Sequence, residues 1–335
     1  MTTTTQATEY MTFAEASRAA LDEALALDPD VVLLGEDIAD ETGGGVFKVT
    51  SGLSTKYGPE RVRFTPISEQ AIVGAAVGAA VAGMRPVAEI MLMNFLAVAM
   101  DQFANHAAKL RFMSGGQTPV PLTIRTTTGV GAQFGAQHSD MVEAWLAHLP
   151  GCKVVVPSTP ADAKGLLLSC IFDDDPCVFV ENTLLYYLGF NGPAPEPGHR
   201  VPLGVASVPR TGSDVTIIGY GRQMQDAAIV ADQLAADGID VELVDLRTVS
   251  PWDEQTVFES VAKTKRAVVV HEAVRRGGVG AEISARIHEE LFSELAAPVE
   301  RVGAPFAPVP YAASLEAAYL PGGAQIIAAI RKVLG

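Results

Sequence analysis

The stretch VTIIGYGRQMQDAAIVADQLAADGIDVELVD, residues 215–245, decides the fold. Val215–Ile218 is a short apolar run, Gln223–Ala236 reads as a helix, and Val241–Asp245 is a second apolar run. Apolar strands that alternate with helices form a parallel sheet covered on both faces. On the C-terminal side the alternation continues with a helix at Pro251–Ala262, a strand at Ala267–His271, a helix at Val279–Phe292 and a last helix at Ala324–Leu334. On the N-terminal side strand-like runs occur at Val31–Leu34, Val87–Met91, Pro121–Arg125, Lys153–Val156 and Cys177–Glu181. Helical stretches fall between them at Glu69–Ala82, Ala97–Arg111, Met141–His148 and Pro160–Phe172. Thr12–Leu27 opens the pattern with helical spacing, and Thr12 with Glu15 three residues on forms a capping box. The fold class is α/β throughout.

A chain of 335 residues suggests two domains at roughly 100–200 residues each. Gly189–Gly204 carries Pro193, Pro195, Pro197 and Pro202 with Gly192 and Gly198, a composition that excludes regular structure and marks a linker. The expected division is a domain over 8–188, a linker over 189–206 and a domain over 207–335.

The formal charge of −15 argues against a nucleic-acid partner and against docking on anionic membranes. Ala71–Gly83, the most apolar region, is short and glycine-rich, so it reads as a buried helix and not a membrane span. The start, MTTTTQATEYM, lacks basic residues and an apolar core, unlike a secretory or mitochondrial leader. Cys152, Cys170 and Cys177 form no CxxC pair and have apolar neighbours, as expected of buried reduced thiols in a cytoplasmic protein.

Four segments carry candidate chemistry. In Thr65-Pro66-Ile67-Ser68-Glu69-Gln70, Pro66 stops a long strand and Ser68 is placed to cap a helix starting at Glu69. A carboxylate there is also what the helix dipole favours in any first turn. Gly74, Gly78 and Ala82 then share one helix face. Glycine costs about 1 kcal/mol relative to alanine inside a helix, so the stripe points to close approach of another backbone, at an intersubunit or interdomain contact. Met91 and Phe95, taken alone, read as ordinary core. His138 lies in Ala136-Gln137-His138-Ser139-Asp140 after a loop, Thr126–Gly135, rich in Thr and Gly, a setting that suits chemistry better than an apolar helix face. Asp173-Asp174-Asp175 is either a solvated turn ending a helix or a cation site using main-chain and carboxylate oxygens. None of the six histidines has zinc spacing. Gly219-Tyr220-Gly221 lacks the third glycine of a dinucleotide fingerprint, and no phosphate-loop motif for ATP is present.

Taken in order, LLGED (Leu33–Asp37), TPISE (Thr65–Glu69), GAAVGAA (Gly74–Ala80), MSGG (Met113–Gly116), AQHS (Ala136–Ser139), PADAKGL (Pro160–Leu166), VPLG (Val201–Gly204) and GGVGAEI (Gly277–Ile283) resemble the β subunits of heterotetrameric 2-oxo acid dehydrogenases of the pyruvate, branched-chain and acetoin types. Each string is weak alone, but eight in register are specific. The resemblance implies two three-layer αβα domains, an N-terminal pyrimidine-binding domain with a parallel sheet and a C-terminal transketolase-like domain. It implies thiamine diphosphate as coenzyme, with Mg²⁺ held mainly by an α subunit whose GDG motif this chain lacks. It further implies a tetramer of two α and two β chains, a lipoyl acyltransferase core as acyl acceptor, and a 2-oxo acid or acetoin as substrate.

By the same resemblance, Glu69 stands beside the aminopyrimidine ring as a catalytic and coenzyme-binding carboxylate, where a hydrogen bond to the ring nitrogen makes the exocyclic amine a base. Met91 and Phe95 match positions that pack on that ring. His138 matches a loop histidine, with a proton-transfer role in acyl transfer or a role in orienting substrate or lipoyl. Leu122, Cys170, Asp173 and Asp175 match positions near a structural potassium ion. The chain departs from the pattern at Val98, where many relatives have Gln, and at Asp140, also usually Gln. A carboxylate two residues from His138 is expected to favour the charged imidazole. Two rivals remain at this stage: a two-subunit thiamine-dependent carboligase, and a noncatalytic scaffold of the same fold.

Overall fold

The computed structural model describes residues 10–187 and 189–335; the leader-like question posed by the first residues lies outside the described part. In chain order the first half holds β1 (Tyr10–Met11), α1 (Phe13–Leu27), β2 (Val31–Gly35), α2 (Leu53–Tyr57), β3 (Val62–Phe64), α3 (Glu69–Val81), β4 (Arg85–Leu92), α4 (Ala108–Met113), β5 (Thr123–Thr128), α5 (Glu143–Ala147), β6 (Lys153–Val155), α6 (Pro160–Ile171), β7 (Cys177–Asn182), α7 (Thr183–Tyr187) and β8 (Gly192–Pro193). The second half holds β9 (Ser207–Arg210), β10 (Val215–Gly219), α8 (Gln223–Ala236), β11 (Val241–Asp245), β12 (Thr248–Ser250), α9 (Glu254–Thr264), β13 (Ala267–Val274), α10 (Val279–Leu291), β14 (Glu300–Ala304), α11 (Ala313–Tyr319) and α12 (Gly323–Leu334).

The strands form two main sheets, in the orders β12-β6-β7-β5-β4-β2-β3 and β14-β13-β10-β11-β9. Both are parallel except at one edge: β12 runs antiparallel to β6, and β9 antiparallel to β11. Fully buried strands such as Val31–Gly35 and Val215–Gly219 explain the unbroken apolar runs, since helices cover both faces. α1 and α6 pack on the outer face of the first sheet through Phe13, Leu21, Leu166 and Leu167. α8 and α12 cover the outer face of the second through Val230, Leu234, Ile326 and Ile330. Between the sheets one continuous core joins the halves, from Ile72 and Phe103 to Val249, Val257 and Ile283. Each half is therefore a three-layer αβα unit, as expected.

Some local features meet the sequence expectations and others depart from them. The capping box forms, with the Thr12 hydroxyl accepting from Glu15 N at 3.2 Å and the Glu15 carboxylate from Thr12 N at 2.7 Å. Ser68, by contrast, makes no side-chain cap to α3. The single helix expected over Ala97–Arg111 is composite, a 3₁₀ segment (Met93–Ala99), a π segment (Asp101–Ala107) and then α4. Its buried residues Met93, Leu96, Ala99, Phe103 and Ala107 step by three and then by four, and the change of winding keeps all of them on one side. The proline-rich linker is irregular apart from Gly192–Pro193, which pairs with Tyr10–Met11. β5 runs three residues further than expected, to Thr128, so the glycine-rich loop starts at Gly129. All three cysteines are buried and free. Among the described residues no helix is long and apolar enough to cross a membrane.

Candidate active site

Parallel α/β sheets bind ligands beyond the carboxyl ends of their strands, where the strand order reverses. In the first sheet that place lies at β2: the chain steps from β2 to β3 on one side and then back across to β4 on the other. Three of the expected site residues, Glu69, Met91 and Phe95, follow from it. Thr65 N bonds to Gly35 O at 2.9 Å, so the segment leading to Glu69 starts beside the end of β2. Glu69 is the first residue of α3 and is half-buried. Among the described residues its carboxylate makes no hydrogen bond or ion pair.

Glu36 stands directly after β2 and is buried, with one carboxyl oxygen lacking any hydrogen-bond partner. Burial pushes its pKa up, the neighbouring Glu69 and Asp37 push it further, and the Ser68 N–H opposes them. Two carboxyl groups thus share one crevice. Sequence reasoning misses Glu36, although it lies in LLGED, where an acid right after an all-apolar strand and a glycine is its signal.

Met91 sits at an irregularity in the β4–β5 ladder, where Ile90 faces Thr126 but Leu92 faces Thr127. Such a bulge re-aims a side chain, and Thr127 Oγ1 fixes it by donating to Met91 O at 2.6 Å. Phe95, in the 3₁₀ segment, is half-buried and meets the His138 ring edge-on at a centroid distance of 5.3 Å. Between them Asn94 ties the two segments: its Nδ2 donates to the Asp140 carboxylate at 2.9 Å and to Ala136 O at 3.4 Å, and its Oδ1 accepts from Asp140 N at 3.1 Å. The Asp140 carboxylate is turned to Asn94 and, among the described residues, forms no ion pair with His138. Asn94 itself gave no sign in the sequence.

The loop from Gly129 to His138 bridges the halves. Val130 N donates to Glu272 Oε1 at 2.6 Å, and Glu272 also accepts from Asn182 Nδ2 at 2.9 Å. Gly131 N and Gln133 N both donate to the Glu316 carboxylate at 3.1 Å. Burial pushes the Glu272 pKa up to about 6 against the opposing pull of Val130 N–H, Arg222 and Asn182. Behind the loop a cavity of about 500 Å³ is lined by Ser139, Met141, Trp145, Glu272, Phe306 and Tyr319.

The four positions expected near potassium lie at the opposite, amino ends of β5 and β7. They do come together: Cys177 N bonds to Leu122 O at 2.9 Å and Asp173 N to Cys170 O at 3.2 Å. The Asp side chains, however, are neutralised by protein cations. Lys153 bridges Asp173 and Asp175, Arg111 pairs with Asp175 at 2.7 Å, and Arg85 with Asp174 at 3.0 Å. Among the described residues no three His, Cys, Asp or Glu side chains are grouped to hold a metal ion. The cation expectation thus loses its carboxylates and keeps only main-chain oxygens. Gly219-Tyr220-Gly221 is a packing turn and not a nucleotide site: Tyr220 is buried with its hydroxyl on Glu143 at 2.6 Å, and Gly221 N bonds to Val156 O.

The chain has relatives whose roles are known by name. Residues 9–187 match the transketolase pyrimidine binding domain, and residues 204–326 the transketolase C-terminal domain. The β subunit of acetoin:2,6-dichlorophenolindophenol oxidoreductase from Cupriavidus necator is 46% identical over 94% of this chain and 95% of its own length. The corresponding Bacillus subtilis subunit is 41% identical over 97% of each. The β subunit of the pyruvate dehydrogenase E1 component from Rhizobium meliloti is 44% identical over 96% of this chain and 70% of its own. Among solved structures, a split-gene transketolase in the form of an inactive β4 tetramer superposes with a TM-score of 0.76 at 26% identity, covering 97% of this chain and 98% of that one.

Proposed function

This chain belongs to the transketolase-like family of β subunits of pyruvate and acetoin dehydrogenases, and on that premise we propose that it forms, with an α subunit, a thiamine-diphosphate-dependent enzyme that decarboxylates a 2-oxo acid or cleaves acetoin and passes the acyl group to a lipoyl carrier. The observation that carries the proposal is the Glu69 carboxylate, unpaired and half-buried at the strand-end crevice beside buried Glu36. The residues fit the aminopyrimidine end of the coenzyme: a carboxyl pair suited to hold a proton on a ring nitrogen, with Met91 and Phe95 offering apolar sides. They do not fit the diphosphate end, since neither a metal-binding cluster among the described residues nor a GDG motif is present. That end, with its Mg²⁺, falls to the α subunit.

When bound, thiamine diphosphate supplies a nucleophilic carbon and an electron sink for loss of CO₂. This chain's part is to hold a proton at Glu69, to exclude water with Met91 and Phe95, and to present His138 for proton transfer or for orienting substrate or lipoyl. The bare stripe on α3 supports a second polypeptide. Gly74, expected in that stripe, is half-buried and a Cβ there would lie 3.3 Å from Gln102 of this chain, whereas Gly78 and Ala82 are exposed together with Ala71 and Ala75, with Ile67 exposed at 83%, Phe64 at 49% and Val81 at 47%. Buried residues such as Ile72, Val73 and Ala76 occupy the other face, so the stripe is no contact between the two halves of this chain. A structural potassium ion would take the main-chain oxygens of Leu122, Cys170, Asp173 and Asp175. Residues 8–188 form the coenzyme-facing domain, 189–206 the linker and 207–335 the second domain in this scheme.

The test is co-expression with the α subunit, then decarboxylation assays on pyruvate, branched 2-oxo acids and acetoin. Glu69→Gln should lower turnover by about 100-fold or more while the tetramer stays intact. Near-normal turnover would overturn the proposal.

A further inference from the structure

The segment that carries His138 is poorly supported by itself. Gly129, Gly131, Gln133 and Gly135 all have positive φ, and the one main-chain bond inside it is His138 N to Gly135 O at 3.3 Å. Its order comes from outside. At its C-terminal end Asn94 holds Ala136 and Asp140. In its middle three main-chain donors, Val130 N, Gly131 N and Gln133 N, point at two carboxylates of the second half, Glu272 on β13 and Glu316 on α11. Both acids are buried, at 3% exposure each. Glu316 takes two amides on one carboxylate and holds the non-glycine Gln133 at φ +59°, a conformation that an L residue seldom adopts unaided. Val130, Val309 and Tyr319 form a small core beneath the same loop, so the acids act from a packed base. Among the described residues, the hydrogen bonds to the two carboxylates come from Val130, Asn182, Gly131 and Gln133, and none comes from Glu36, Glu69, Met91 or Phe95.

We propose that Glu316 and Glu272 are positioning residues for His138: the second domain sets where the loop histidine stands by binding the loop's main-chain amides. The proposal rests on the function argued above. Anionic acceptors make the strongest main-chain hydrogen bonds, and a reacting group displaced by as little as 1 Å loses about 100-fold in rate.

The experiment uses the chain assembled with its α subunit. Two rates are read on the substrate turned over: reduction of 2,6-dichlorophenolindophenol, which bypasses lipoyl, and acyl transfer to a lipoyl domain. His138→Ala should slow the lipoyl reaction. Glu316→Ala should reproduce that loss, with kcat down about 10-fold to 100-fold, and should add nothing further on the His138→Ala background. Glu316→Gln, which keeps one carbonyl acceptor, should recover most of the rate, and Glu272→Ala, which removes the acceptor of Val130 N, serves where Glu316→Ala fails to fold. Amide exchange across 129–135 is the second readout and should quicken about tenfold in Glu316→Ala. Unchanged exchange, a full rate in Glu316→Ala, a multiplicative loss in the double variant, or a full rate in His138→Ala would each overturn the proposal. A full rate in Glu69→Gln overturns the function instead, and exchange still decides whether the acids order the loop.

Discussion

Asn94 makes three hydrogen bonds to the His138 segment and, beside the Phe95–His138 ring contact, joins it to the helix bearing Phe95. Replacing it by alanine strands the partly buried Asp140 carboxylate, so Asn94→Ala should cost about 1–3 kcal/mol in urea unfolding and slow the His138-dependent step. Asn94→Asp should be worse, because two carboxylates would then face each other. A null effect on both stability and rate would show that the segment is ordered from the other side alone. The residues of this site differ in how far the sequence announces them. Glu69 and His138 stand in short strings whose local geometry suits them, a helix start and a glycine-flanked loop. Asn94, Glu272 and Glu316 act on main-chain atoms far along the chain, 185 positions away in the bond from Gly131 to Glu316. A hydrogen bond to a backbone amide leaves no mark on the identity of the residue that donates it, so nothing in the sequence points to these three.

At the scale of elements, the long buried strands and the helices between them were legible because period and length speak for them. Two short strands were not: β3 and β12 have three residues each and, lacking the apolar run that marks the equally short β6, are fixed by neighbours remote in sequence. The composite helix was illegible for a related reason, since 3₁₀ and π winding answer to packing against α3 and not to local propensity. α3 itself yields a prediction. A Cβ built at Gly78 meets nothing within 4 Å in this chain. Gly78→Ala should therefore favour the helix intrinsically by about 1 kcal/mol and yet weaken co-purification with the α subunit, where the partner backbone approaches the stripe. Undiminished assembly, measured by sedimentation, would remove the stripe from the interface.

At the scale of the whole molecule the halves are welded by buried polar contacts as well as by a shared core. Asp245 at the end of β11 accepts from Ser158 of the first half, and burial pushes its pKa up to about 7 from the ordinary 3.8. Because the folded state prefers the protonated acid, this group's stabilising contribution is full below pH ~4 and is lost as the pH rises through about 7. Asp245→Asn keeps one oxygen to accept from Arg247 N and puts an amide N–H where Ser158 Oγ can accept it, without the buried charge. Relative to the parent it should gain stability between pH 5 and pH 8, by up to ~4 kcal/mol. The measurement is the difference in thermal midpoint across that range, and a difference that does not change with pH would refute the buried ionisation.

The strand β12 has one more implication, for the order in which the chain is made. Its three residues close the edge of a sheet whose other six strands lie before residue 183. While the ribosome is still translating the linker and the first crossover of the second half, β6 hangs open to any passing strand, its hydrogen-bonding groups unclaimed. The nascent first domain is thus at its stickiest in midsynthesis, and the completion of its sheet is postponed until a tail end belonging to the next domain emerges.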